Sequence, residues 1–329
     1  MRQVPQVSVV ITTYNQAPYI GPALESVFAQ TLQPDEVVVV DDGSTDETAE
    51  RIAPFRDRIV YLRQSNQGVA EARNSGIRRA RGEFLAFLDG DDLWEPEKLA
   101  LQVAAACKHS TSGLIVVDGV QFSAAGILRE SMFSTPIANL FNGGEETISI
   151  DASPYFLREN MIWTTSQVMI PASVFDTVGL SDPQLALVSD WDLYLRIAER
   201  YPVTFVPRRL MRWRYHEASA SGPAVLRELR WGEDGLRMLA KHLRQASGDR
   251  RRIVRAALRS QVFMLTQAAY YRAEAGQREL GLRYLWRFLP WSRVSAAPLA
   301  FLLAAYSPAW LNRWLGRVAR TVLKVSRSA

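Results

Sequence analysis

Asp89, Asp91 and Asp92 follow directly on the apolar run at residues 84–88, with Gly90 between the first two. Carboxylates spaced D-x-D on a turn can face one point, and hard divalent cations such as Mg²⁺ or Mn²⁺ prefer oxygen ligands. With few protein ligands, the remaining positions fall to water and phosphate oxygens, which is how these ions meet a diphosphate. A second acidic pair, Asp41-Asp42, follows the apolar run at 36–40, and Thr12, Thr13, Tyr14 and Asn15 follow the run at 7–11. Hydroxyl, phenol and amide groups of this kind can hydrogen-bond a nucleobase or stack on it, although Tyr14 equally suits a core aromatic with a wet hydroxyl. Asp190 and its neighbour Asp192 are candidate proton acceptors. Arg212 and Arg214 can reach phosphates or cover apolar surface with their stems. His216 can ligate a metal or bind phosphate, or serve as a structural hydrogen-bonder. Trp191 suits either a sugar face or the core, and His109 and His242 read as surface residues.

The elements that must position these groups follow from hydrophobic patterning. Residues 7–11, 36–40 and 84–88 are short apolar runs that read as buried strands, and 60–62 as another. Between them, residues 19–30 and 69–80 have helical spacing, and Ser44 with Glu47 is placed as a capping box for a helix between the second and third strands. This β-α-β alternation predicts an α/β fold, a mainly parallel sheet with helices on both faces. In such sheets ligands bind beyond the C-terminal strand ends. The polar clusters fall at those ends: Thr12–Asn15, Asp41-Asp42, Asn66–Gly68 and Asp89–Asp92. Farther on, helices are expected at 96–108 and 192–200, strands at 114–117 and 168–170, and a loop-rich stretch at 126–152.

Several enzyme classes are excluded by what is missing. No G-x-G-x-x-G follows the first strand, and neither a G-x-x-x-x-G-K-[ST] loop nor a G-x-S-x-G elbow occurs, which argues against dinucleotide oxidoreductases, P-loop enzymes and α/β-hydrolases.

Residues 7–15 (VSVVITTYN), 41–48 (DDGSTDET), 72–76 (ARNSG), 82–92 (GEFLAFLDGDD) and 189–196 (SDWDLYLR) together resemble family 2 glycosyltransferases, over roughly residues 5–217. The resemblance implies a GT-A fold that binds a nucleotide-diphosphate sugar, UDP-linked by analogy, and transfers the sugar with inversion to a glycan or lipid-linked acceptor in cell-surface polysaccharide synthesis. It places Thr12, Tyr14 and Asp42 around the base and ribose, and Asn66 and Gly68 along the same pocket. Asn15, Asp41, Arg73 and Asp89 complete the nucleotide-sugar set. Asp89 and Asp91 become ligands of Mn²⁺ or Mg²⁺, Asp91 the more direct, with His216 as a third, and Asp190 becomes the general base. The family carries a glutamate just before that base, whereas this chain has Ser189. A sugar nucleotidyltransferase can share the sheet, but it needs a Gly-rich loop with a basic residue after the first strand, and residues 12–16 offer none. A non-catalytic sugar-nucleotide binder would not need Asp89, Asp91 and Asp190 together.

The net charge of +5 conceals two different halves. Residues 1–224 carry 28 acidic and 19 basic side chains, residues 225–329 carry 6 and 20. The expected organisation is therefore a catalytic domain at 1–221 and a basic helical region at 222–329. The basic half points to an anionic partner. Without a recognition motif, nucleic acid is the poorer partner. Leu311, Leu315, Val318, Val322 and Val325 make one helical stripe and Arg313, Arg317, Arg320, Lys324 and Arg327 another, with Trp310 and Trp314 at the start. That is the pattern of an interfacial helix on an anionic membrane surface. Residues 296–311 are apolar but too short to span a bilayer. Cys107 is the only cysteine, which excludes a disulfide framework. The start lacks a long apolar signal run, so a cytoplasmic location, peripheral at the inner face of the membrane, is expected.

Overall fold

Short, mainly apolar runs form the centre of the fold, because a strand covered on both faces has no solvated side to serve. A computed structural model describes residues 5–216, 224–274 and 276–306, and the chain divides into two units, Met1–Pro223 and Ala224–Ala329. In the first unit, β1 (Val7–Thr13) is buried at every position. Helix α1 (Ile20–Phe28) turns Ile20, Ala23, Leu24 and Val27 inward at helical spacing. Then come β2 (Glu36–Asp41), α2 (Thr48–Ile52), β3 (Val60–Arg63), α3 (Val69–Arg79) and β4 (Phe84–Asp89). Strands β3, β2, β1 and β4 lie side by side in that order, all parallel. Thr12 sits opposite Asp89, and Thr13 opposite Asp41. The register thus brings the polar strand ends together at one edge of the sheet.

The chain continues through β5 (Leu93–Trp94), α4 (Lys98–Lys108), β6 (Leu114–Ser123) and β7 (Gly126–Arg129). Two one-turn helices, α5 (Thr135–Ala138) and α6 (Ser153–Phe156), flank β8 (Ile148–Ile150). After them come β9 (Val168–Pro171), α7 (Ala172–Val178), α8 (Ser189–Ala198) and β10 (Val203–Arg214). Strand β9 is antiparallel to both β4 and β6, while β10 runs parallel to β6. The result is a mixed ten-stranded sheet, β3-β2-β1-β4-β9-β6-β10-β5, with β7 added to β6 and β8 to β10. Its core joins Val9, Ile11, Leu24, Leu88, Leu99 and Met169.

Four expectations are corrected. Strand β10 has no counterpart in the sequence reading, because Pro207-Arg208-Arg209 interrupts its apolar pattern; the structure absorbs the break in register shifts between Val206 and Met211, as bulges do. Helix α8 starts at Ser189, three residues earlier than expected, which puts Asp190 in its first turn. The capping box does not form: Ser44 Oγ accepts the Asn15 N–H at 2.9 Å instead, and Glu47 caps with no side-chain bond. His242 is buried rather than at the surface.

The second unit is helical: α9 (Ala224–Gln245), α10 (Gly248–Glu274), α11 (Arg278–Phe288) and α12 (Ala297–Tyr306). Helix α10 packs against the other three, burying Val254, Leu258, Val262 and Ala269. Among the described residues, no helix is long and apolar enough to cross a membrane. The amphipathic stripe at 311–327 lies outside the described residues.

Candidate active site

Strand β4 delivers Asp89 to the sheet edge, where protein donors engage both its oxygens. Arg73 of α3 donates to Oδ1 at 2.8 Å, Thr165 Oγ1 lies 3.0 and 3.1 Å from the two oxygens, and Thr164 Oγ1 3.1 Å from Oδ2. Burial alone would raise the Asp89 carboxyl; Arg73 and the two threonines override it and hold it below the ordinary range. Asp92 is fully buried, taking hydrogen bonds from Ser166 Oγ at 2.6 Å and the Arg214 N–H at 2.9 Å. Burial, then Asp91 and Asp89, push its carboxyl well up. These two carboxylates fix the turn, and Asp91 between them meets a histidine. Asp91 Oδ2 lies 3.1 Å from His216 Nε2, and each side chain keeps about one-seventh of its surface exposed, 14% and 15%. The His216 ring rests on Tyr19, centroids 4.6 Å apart, and Arg214 Nε donates to the Asp91 carbonyl at 2.8 Å. Asp91 and His216 thus converge, and Asp89 beside them is engaged by Arg73, Thr164 and Thr165 while keeping 23% of its side-chain surface exposed.

The residues expected around a base and ribose separate into two layers. Asp41 is wholly buried, accepting from the Ser44 N–H at 2.8 Å and the Tyr61 hydroxyl at 2.6 Å. Burial and that bond push the Tyr61 phenol up to about 12. Asp41 thus supports the sheet edge from beneath. Asp42 accepts from Gln67 and Gly68 N–H groups at 3.0 and 2.8 Å and from Gln64 Nε2 at 2.7 Å, so it shapes the loop before α3. Gly68 adopts φ +87° there, a left-handed backbone that favours glycine. In the outer layer, Tyr14 is 47% exposed and Asn66 is exposed. Asn15 takes φ 52° and accepts the Thr45 N–H at 2.8 Å. Thr12 remains buried against Asp89.

Helix α8 distinguishes its two aspartates. Asp192 is fully buried and paired with Arg196 at 2.9 Å, whose guanidinium also reaches the carbonyls of Val178 and Leu180. Asp190 is half-buried, with its Oδ1 accepting the Trp191 N–H at 2.7 Å. It lines a small cavity with Arg73, Thr165, Ser181 and Tyr194. Burial raises the Asp190 carboxyl above the ordinary range, with Arg73 pulling the other way. Trp191 Nε1 donates to the Phe156 carbonyl and the ring is 7% exposed, so Trp191 belongs to the core. Asp192→Ala is expected to cost about 3 kcal/mol, the lower end for breaking a buried pair, read as a lowered midpoint in chemical denaturation.

The sequence reading missed Thr164, Thr165 and Ser166, whose hydroxyls hold Asp89 and Asp92. Their signal was a run of hydroxyl residues just before a buried strand. A capping box between Thr164 and Gln167 shapes this turn.

Comparison with known proteins places the chain. The model of Glycosyl transferase family 2 matches residues 8–158. An uncharacterized glycosyltransferase of Rickettsia typhi is 30% identical over 221 residues, 67% of each chain. The solved structure of Staphylococcus aureus TarS 1-349 in complex with UDP-GlcNAc superposes with TM-score 0.68 at 20% identity, covering 92% of this chain and 89% of that one. The mannosyltransferase PcManGT from Pyrobaculum calidifontis, in complex with GDP-Man and Mn²⁺, gives 0.57 at 20% identity, covering 99% and 83%. The two structural likenesses show the GT-A fold. With the family model matching residues 8–158 and the rickettsial relative 30% identical over about two-thirds of each chain, this chain belongs to glycosyl transferase family 2 and is a glycosyltransferase.

Proposed function

We propose that the first unit transfers a sugar from a nucleoside-diphosphate sugar, a uridine nucleotide first among them, with inversion, to a hydroxyl of a glycan or lipid-linked acceptor in surface-polysaccharide synthesis. The observation that carries this reading is the pairing of two functions at one sheet edge. Asp91 and His216 converge there, and Asp190 lines the cavity beside Arg73. Inversion needs a base near the acceptor hydroxyl and a stabilised diphosphate on the opposite face of the sugar. Asp190 takes the hydroxyl proton as the acceptor oxygen bonds to the anomeric carbon and the bond to the diphosphate breaks. The UDP-GlcNAc and GDP-Man held by the structural neighbours support the donor class.

Asp91 and His216 fit a divalent ion, one hard carboxylate and one imidazole at 3.1 Å. Among the described residues no three His, Cys, Asp or Glu side chains converge, so the other ligands would be phosphate oxygens and water. When bound, Mn²⁺ or Mg²⁺ neutralises charge on the leaving diphosphate. Tyr14, Asn15, Asn66 and Gly68 would flank the base and ribose, and Arg73 holds Asp89 while its charge faces Asp190. A thermal-shift panel tests the donor class: UDP or another nucleoside diphosphate with Mn²⁺ is expected to raise the melting temperature above that with Mn²⁺ alone. No shift with any nucleotide would contradict it.

For the basic half we propose peripheral contact with an anionic membrane at the cytoplasmic face, each basic residue near the surface contributing roughly 1 kcal/mol. Deleting residues 309–329 is expected to release the chain from anionic liposomes; equal co-sedimentation of both forms would overturn the assignment.

A further inference from the structure

The indole at the rim of the site is Trp163, not Trp191. It is 40% exposed, although its chain neighbour Thr164 is buried against Asp89 and Asp92. Its ring centroid lies 6.2 Å from that of Trp213, tilted by 44°, and the Arg129 guanidinium lies 4.5 Å over it. The sheet builds this cluster. Gln121 of β6 pairs with Trp213 of β10 on one side and with Arg129 of β7 on the other, so Trp213 and Arg129 stand in one cross-strand row, on one face. Trp213 is followed by Arg214, whose N–H binds Asp92 and whose Nε binds the Asp91 carbonyl. Both indoles are thus one residue removed from groups that fix the acidic turn.

Topology then sets the side of the site. The residues proposed for the nucleotide come from the ends of β1 and β2 and the loop after β3, on one side of β4. Trp163 precedes β9 and Trp213 lies on β10, on the other side of β4 in the sheet order. A pyranose has an apolar face of C–H groups with slight positive charge, and an indole face is the negative side of its quadrupole. The Arg129 guanidinium covers one face of the Trp163 ring, so a sugar would stack on the opposite face, with the guanidinium's outer N–H groups as donors at the ring edge. We infer that Trp163, backed by Trp213 and Arg129, is the platform on which a pyranose ring of the acceptor stacks. The inference rests on the glycosyl-transfer reading and specifies that the acceptor presents a sugar, rather than a bare lipid phosphate, to the site.

The test uses the full chain labelled with ¹⁵N at tryptophan, saturated with diamagnetic Mg²⁺ and UDP. The Trp163 indole N–H resonance is assigned by its loss in Trp163→Phe. The chain is titrated with methyl glycosides of glucose, galactose, mannose and N-acetylglucosamine, and separately with octyl phosphate. At least one glycoside is expected to shift the Trp163 resonance saturably. Trp163→Ala is expected to weaken that glycoside's binding at least ~10-fold, a loss within the range for truncating an aromatic anchor, followed by saturation transfer to the glycoside. No shift with any glycoside, a shift with octyl phosphate alone, or undiminished binding by the alanine variant would overturn the platform. Binding of UDP is recorded in the same samples. A chain that binds UDP and leaves Trp163 unmoved contradicts the platform alone, whereas one that binds no nucleotide contradicts the transfer reading, and the glycoside titration still decides the platform.

Discussion

Asp190→Asn is expected to lower turnover about 10²–10⁴-fold, the usual contribution of a positioned general base, with donor affinity nearly unchanged. Asparagine keeps the shape and the oxygen that accepts the Trp191 N–H, so the first turn of α8 stays in place. Only proton acceptance is removed. The pH dependence carries a second signature. A base works deprotonated, and burial lifts the Asp190 carboxyl despite Arg73. Wild-type activity is therefore expected to fall, as pH is lowered, at a pH above the ordinary aspartate range. The residual rate of the asparagine variant should lack that limb. Steady-state kinetics across pH would check both. A variant with the wild-type rate would move the base elsewhere, although not to Asp192, which is sealed against Arg196.

Asp91→Ala is expected to remove most of the metal-dependent part of UDP affinity, about 10–100-fold or more, since even outer-shell partners of a metal are worth that much. The fold should survive the change. The turn is held by Asp92 through Ser166 and the Arg214 N–H, and by Arg214 Nε on the Asp91 carbonyl, which alanine retains. Calorimetric titration of UDP with and without Mn²⁺ measures the increment, and circular dichroism confirms folding. An increment equal to that of the wild type would remove Asp91 from the ion's ligands.

The first four strands were legible because a buried parallel strand must be an apolar run, and β1, β2 and β4 are. Their ends, and so the edge that carries the site, came with them. Strand β10 was hidden because its pattern breaks at Pro207, and a bulge that absorbs such a break depends on its partner strand. Neighbouring carboxylates were the harder problem. Asp190 and Asp192 are chemically identical in sequence, and only tertiary packing decides which is sealed. For Asp192 a local signal existed, since Arg196 stands four residues on, the spacing of a helical ion pair. Thr164, Thr165 and Ser166 offered only a run of hydroxyls before a buried strand, because a hydroxyl acquires a role from the carboxylate folded onto it.

The most direct test of transfer itself follows a panel of nucleotide sugars by ¹H NMR, with Mg²⁺ and acceptor glycosides, watching the donor anomeric proton and the phosphate products. The account predicts that one donor disappears, a nucleoside diphosphate is released, and the new anomeric signal has the configuration opposite to the donor's. Release of a nucleoside monophosphate or pyrophosphate, a product with retained configuration, or no consumption of any donor would contradict it.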